Sequence, residues 1–283
     1  MIDWTPAIAG RVRTARGFFF DMDGTIALGD ASSGGHYALP HAVELVRSIK
    51  ARGIPLRVYT NGTAKPPSAY AASLRNAGFD LQDDEMMTPS SSAAIWFARK
   101  GIKRVRVLGN AGVAAPLRNM GITIVGASEP GAVDAVYTGW FREFTFPDLE
   151  AACQSIWDGA ILTTASNVPF FATATGRGIG SSFAINKMIT SLTGKQAKVL
   201  GKPSRVAFDA ALASMGLPRS AASEVVVFGD DPALEMAMAN GAGALGIGMT
   251  TGLMKRDTVA TLKPVQKPHA LLDTLEPVRA LFG

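Results

Sequence analysis

Phe18-Phe19-Phe20-Asp21-Met22-Asp23-Gly24-Thr25 joins three phenylalanines to a pair of aspartates and a glycine. The apolar run reads as a strand covered on both faces, as in a parallel sheet. A charge set against three aromatic rings is costly, so a simple turn does not explain Asp21. Turn chemistry would explain Asp23-Gly24 alone. Asp21 and Asp23 stand two residues apart, and in extended chain such side chains face the same way. The pair is poised to act together, and Gly24 lets the chain turn away behind it.

Outward from this stretch, short β-rich runs alternate with helical patterns. After 18–20 the runs predict strands at 55–60, 104–109, 132–138, 160–164, 198–200 and 225–228. Helices are predicted at 40–52, 68–76, 204–215 and 231–240, stopping at Gly53, Gly78, Gly216 and Gly241. Strand alternating with helix is the signature of an α/β protein built on a parallel sheet. The tail 263–283 carries Pro264, Pro268 and Pro277 and is expected to form a short surface helix or loop.

Open α/β sheets place function at the carboxyl ends of their strands. Thr60-Asn61-Gly62-Thr63 ends one run with a hydroxyl, an amide and a free backbone N–H, groups that suit phosphate oxygens or an ordinary turn. Gly201-Lys202-Pro203-Ser204 ends another, with a lysine that either reaches inward as a point charge for phosphate or lies in solvent before a helix. Gly229-Asp230-Asp231-Pro232 ends a third. Asp230 is the better ligand candidate, and Asp231 before Pro232 reads as a helix N-cap. Glu235 either orients the site from behind or favours the helix N-terminus. Gly241 to Gly246 matches dinucleotide-binding spacing but follows a helix and leads into a strand, the reverse of that motif. His36, His41 and His269 lack metal-ligand spacing and a clear partner. Ser181-Ser182 follows what reads as a glycine-rich turn.

Composition bounds the remaining choices. The 283 residues allow a large core or two domains, and 47% hydrophobic with 18% charged residues is ordinary for globular chains. No apolar run reaches the roughly 20 residues of a membrane helix. The first ten residues lack a basic segment followed by an apolar one, so no secretory signal is expected. The single Cys153 cannot form an internal disulfide, is expected to be a small buried hydrophobe, and suits a cytoplasmic setting. The net charge of +5, partly from Arg11, Arg13 and Arg16, suits an anionic substrate. Basic runs interleaved with aromatics are missing, which argues against nucleic acid.

Asp21-x-Asp23-Gly-Thr, Thr60-Asn61-Gly62, Lys202 in Gly-Lys-Pro-Ser and Gly229-Asp230-Asp231, in this order, resemble the motifs of the haloacid dehalogenase superfamily. Pro40 through Ala51-Arg-Gly-Ile-Pro to Asn61 is similar to its subfamily of NagD-like and p-nitrophenyl phosphatase-like enzymes, which carry a large C2-type α/β cap between the second and third motifs. The similarity runs to about Gly252 and is poorest in the cap. It implies a Rossmann-like core at 1–85 and 200–283 and an inserted cap at 86–199.

The resemblance also implies a magnesium-dependent phosphatase acting on a small phosphorylated metabolite. Asp21 would attack phosphorus, and Asp23 would protonate the leaving group and then activate water. A dehalogenase lacks the second aspartate, so Asp23 favours phosphoryl transfer. Carboxylates about 4 Å apart repel by roughly 4 kcal/mol at an effective dielectric near 20, which calls for a cation beside a phosphate dianion. Mg²⁺ would be held by the Asp21 side chain, the Asp23 carbonyl and the Asp230 carboxylate. Thr60 and Lys202 would hold the transferring oxygens, with Gly24, Asn61 and Gly62 also against the phosphate. Asp231 and Glu235 would support the ligands from behind. Two departures stand out. Gly62 occupies a position where relatives often have asparagine. In the cap, Thr164-Ala165-Ser166-Asn167-Val168-Pro169-Phe170-Phe171 lacks the acidic residue of its counterparts. Asn167 could still contact substrate, while Phe170 and Phe171 are expected in the core, or else as a stacking wall. The alternatives are a phosphotransferase using the same intermediate and a non-catalytic phospho-ligand binder. Copies of the chain could associate through the cap, and no membrane or nucleic-acid partner is expected.

Overall fold

The computed structural model describes residues 2–30, 34–173 and 176–283. In chain order its strands are β1 (Gly17–Asp21), β2 (Ala27–Asp30), β3 (Gly35–Ala38), β4 (Leu56–Tyr59), β5 (Met86–Met87), β6 (Arg104–Leu108), β7 (Thr123–Val125) and β8 (Ala135–Thr138). They continue with β9 (Ile161–Thr164), β10 (Phe170–Thr173), β11 (Gly176–Ile179), β12 (Lys198–Val199), β13 (Val225–Gly229), β14 (Leu245–Met249) and β15 (Ala270–Leu272). The chain divides into two compact units. The first holds Met1–Thr60, Ser68–Met87 and Ala211–Gly283, and the second Asn61–Pro67 and Thr88–Ala210.

The first unit is built on a parallel sheet ordered β15-β14-β13-β1-β4-β5. β1 is an inner strand because its aromatic run commits both faces. Phe18 and Phe20 lie 6.0 Å apart on one face, and Phe20 stacks on Phe228 at 5.0 Å. Phe19 packs on Tyr59 at 5.4 Å. All three phenylalanines are fully buried, each worth about 2–3 kcal/mol in transfer free energy. The helix Ala42–Ala51 turns Ala42, Leu45, Val46 and Ile49 inward.

Two sequence expectations need correction in this unit. The tail does form short helical turns, Pro264–Gln266 and Glu276–Arg279, but it is more than a surface segment: Ala270–Leu272 adds the edge strand β15, and Phe282 meets Phe18 edge-on at 5.6 Å. The surrounding prolines hid this short apolar strand. The helix predicted to stop at Gly241 begins with a wide π-type turn, Pro232–Met236, and continues as Ala237–Ala242. It ends at Gly243, which takes the left-handed conformation at φ +77° that Gly241 does not.

The second unit carries a parallel sheet ordered β12-β9-β8-β6-β7. Side chains alternate between two apolar layers. Val105, Val107 and Tyr137 join Phe97, Val113 and Leu117. Leu108, Val136 and Leu162 join Leu149, Cys153, Ile156 and Ile189. Burial pushes the Cys153 thiol pKa up, as befits a small hydrophobe. Arg106 is buried in mid-strand. It donates to Ser155 Oγ at 2.9 Å and to the carbonyls of Gly126, Ala127, Glu129 and Gly131 at 2.6–3.1 Å.

Phe170 and Phe171 are not core residues. They lie on β10, which pairs with β11 in a separate antiparallel hairpin, and they are 52% and 40% exposed. A two-stranded ribbon has no second sheet to cover it. Phe171 leans on Trp140 at 5.7 Å, and the Arg177 guanidinium lies 5.9 Å from the Phe170 ring. The stretch before Ser181 is likewise strand β11 rather than a glycine-rich turn. Among the described residues, no helix is long and apolar enough to cross a membrane.

Candidate active site

Parallel pairing brings the polar strand ends of the first unit together. Phe20 is opposite Phe228 on one side and Val58 on the other, and Asp21 is opposite Tyr59. The residues that follow, Asp230 after β13 and Thr60 after β4, therefore reach the same edge of the sheet as Asp21. β1 is also where the strand order runs outward in both directions, the point at which such sheets open a crevice.

At this edge Asp21, Asp230 and Glu235 each place a carboxylate oxygen within 4.8 Å of the others. All three are buried, Glu235 to within 1% of complete. The loops around them are tight. Thr25 Oγ1 donates to Asp21 Oδ2 at 3.3 Å, and the Leu253 N–H donates to Asp230 Oδ2 at 2.7 Å. The Asp231 N–H donates to Glu235 Oε2 at 3.1 Å, which draws Glu235 back from its helix toward the strand end. Gly24 is required twice over: its φ is +77°, and a Cβ would stand 2.6 Å from Asp230 Oδ2. Thr251 Oγ1 donates to the Gly24 carbonyl at 2.5 Å, so the loop after β14 closes on the loop after β1.

The other expected residues take varied positions. Asp23 turns its side chain outward, 52% exposed, with its Oδ1 3.6 Å from His36 Nε2. Thr60 is buried at the end of β4, its N–H donating to the Met87 carbonyl at 3.2 Å. Asp231 caps the following helix, accepting from the Ala233 N–H at 2.7 Å. Asn61 and Lys202 belong to the second unit and are locked reciprocally. The Lys202 N–H donates to Asn61 Oδ1 and Asn61 Nδ2 donates to the Lys202 carbonyl, both at 3.0 Å. Lys202 is 1% exposed, so its stem is held in protein rather than in solvent. Gly62 follows Asn61 in the same short segment, which Thr63 ties down by accepting from the Trp140 N–H at 3.0 Å. Asn167 is exposed in the loop before β10.

One expectation placed its residue too far out, and one feature escaped the sequence reading. Glu235, expected to support the ligands from behind, is itself a member of the carboxylate cluster. His36 does have partners: besides Asp23, its Nδ1 lies 2.8 Å from Ser73 Oγ. The hairpin β2–β3 brings it there, and no spacing in the sequence shows that. His269 is partnered too, its Nδ1 accepting from the Gly246 N–H at 3.1 Å.

The donor set suits a hard divalent cation. Three buried carboxylates crowded this closely offer only oxygen ligands, the preference of Mg²⁺.

Residues 18–123 match the family described as haloacid dehalogenase-like hydrolase, and residues 199–278 match one described as HAD-hydrolase-like. The chain is 26% identical over 267 residues to the 5'-nucleotidase YutF of Bacillus subtilis, covering 93% of this chain and 97% of that one. It is 26% identical over 266 residues to the sugar-phosphatase AraL of the same organism, covering 94% and 92%. The fold matches that of a p-nitrophenyl phosphatase from Archaeoglobus fulgidus, with a TM-score of 0.81 at 24% identity over 94% of this chain and 98% of that one. The first family match spans the strand that ends in Asp21 and the second spans the strand before Asp230; the chain belongs to the haloacid dehalogenase-like hydrolases.

Proposed function

We propose that the protein hydrolyses phosphomonoesters of small metabolites through a phosphoryl group carried transiently on Asp21. The observation that carries this reading is the convergence of Asp21, Asp230 and Glu235 at the carboxyl ends of β1 and β13. In the first step an Asp21 carboxylate oxygen bonds to phosphorus while the ester P–O bond breaks. The electron pair leaves with the alcohol oxygen, which takes a proton from Asp23. In the second step water attacks the same phosphorus, gives its proton to Asp23, and releases phosphate and free Asp21. Asp21, Asp230 and Glu235 would hold Mg²⁺, with the Asp23 carbonyl added by the family resemblance. The ion supplies positive charge against the phosphoryl oxygens. Thr60 and Lys202 take the role of positioning those oxygens, since positioning and charge stabilisation do most of the work in phosphoryl transfer.

Relatives named as a nucleotidase and a sugar-phosphatase support substrates of that size: sugar phosphates, nucleotides or pyridoxal phosphate. The test is a phosphomonoester panel assayed with Mg²⁺. Asp21→Asn should lower kcat by more than about a thousandfold while the protein stays folded, and chelation should abolish wild-type turnover. Turnover by Asp21→Asn above a few per cent would remove Asp21 as the nucleophile.

A further inference from the structure

His36 takes no part in the steps above, yet it stands against the carboxylate that moves the proton. The antiparallel hairpin sets its place. Gly29 of β2 pairs with His36 of β3, which returns the chain to the loop that follows β1. The imidazole is well covered, with 9% of the side chain exposed. Its Nδ1 lies 2.8 Å from the hydroxyl of Ser73, on the helix Pro67–Asn76. Its Nε2 lies 3.6 Å from Asp23 Oδ1. A serine hydroxyl donating to Nδ1 selects the tautomer with the proton on Nε2, and that nitrogen is the one facing Asp23. The separation is a few tenths of an ångström beyond a hydrogen bond, as contacts of this kind often are before substrate binds.

Asp23 needs such a partner. Its side chain is half exposed, and an exposed carboxylate samples several rotamers unless one oxygen is engaged. We infer that His36 is a positioning residue for Asp23. By holding Oδ1, and being held in turn by Ser73, it keeps Oδ2 directed for proton transfer to the leaving oxygen. The inference rests on the reading of Asp23 as the acid and base of the reaction. A merely architectural His36 would tie β3 to the helix through Ser73 and affect stability alone.

The two roles separate on leaving-group chemistry. p-Nitrophenolate departs without a proton, whereas a simple alkoxide needs one. The experiment compares kcat/KM, which covers the step that expels the alcohol and not the later attack of water, on p-nitrophenyl phosphate and on a series of alkyl phosphates, with Mg²⁺, for wild type, His36→Ala, His36→Gln, Ser73→Ala and Asp23→Asn. His36→Ala should lose about tenfold or more on alkyl phosphates and less than about twofold on p-nitrophenyl phosphate, a fraction of the loss in Asp23→Asn. His36→Gln, whose amide nitrogen reaches the place of Nε2, should recover most of that loss. Ser73→Ala should show the same pattern more weakly, and it serves if His36→Ala folds poorly. Equal losses on both substrate types, or none in a folded variant, would overturn the positioning role. If Asp23→Asn shows the leaving-group dependence and His36→Ala does not, this inference alone falls. If Asp23→Asn lacks it too, the reading of Asp23 falls and takes the inference with it.

Discussion

At the scale of single residues, the cluster depends on backbone that no side chain could replace. The Asp230 carboxylate lies where a Cβ on Gly24 would stand, and Gly24 also holds a left-handed φ. Gly24→Ala therefore strains the turn and pushes Asp230 away from Asp21. The expected result is a cost of about 1 kcal/mol in stability and a loss of at least about tenfold in kcat at saturating Mg²⁺. Denaturant unfolding and steady-state kinetics read these separately. Wild-type kinetics in the variant would show that the loop relaxes without moving Asp230. Asp21 was legible in the sequence because a charge after three phenylalanines has few cheap explanations. Glu235 was legible only as a support behind the ligands, because its approach to the cluster depends on the bond from the Asp231 N–H and on the wide first turn of its helix. Both are products of the fold rather than of spacing.

At the scale of elements, long apolar runs announced themselves, and β1, β4, β6, β9 and β13 follow from them directly. Of the short or interrupted strands, β12 was read within 198–200, but others were not. β15 is three residues between prolines, and β10 and β11 pair outside the main sheet, where burial gives no apolar signature. Arg106 carries a different lesson. A guanidinium in the middle of a buried strand breaks the apolar pattern, yet it organises the loop 126–131 by donating to four of its carbonyls. Burial lowers its pKa, an effect only partly countered by Glu129, and the bonds keep the charge tolerable. Arg106→Leu should destabilise the second unit by about 2 kcal/mol, as the carbonyls lose their donor. Hydrogen exchange should rise first in β6, β7 and the loop between Val125 and Ala135. Unchanged exchange there would mean that water replaces the guanidinium without penalty.

At the scale of the whole molecule, the three clustered carboxylates all belong to one unit, and the buried Arg106 network belongs to the other. Mg²⁺ should therefore protect selectively. A cation bound only by the folded cluster adds about 2.7 kcal/mol at a hundredfold excess over its Kd. Exchange should slow in β1, β13 and β14 on adding Mg²⁺, and chelator should reverse it, with β6, β8 and β9 little changed. Asp230→Asn should blunt the response. Equal protection of both sheets would point to a binding site elsewhere. The register of β1 has one more consequence, which concerns synthesis. Val225 is synthesised 208 residues after its neighbour Gly17. The stretch Thr88–Ala210 already contains every strand of its own five-stranded sheet. During translation the intervening sheet is thus free to mature first, while β1 can meet β4 early but keeps its other edge open until β13 emerges.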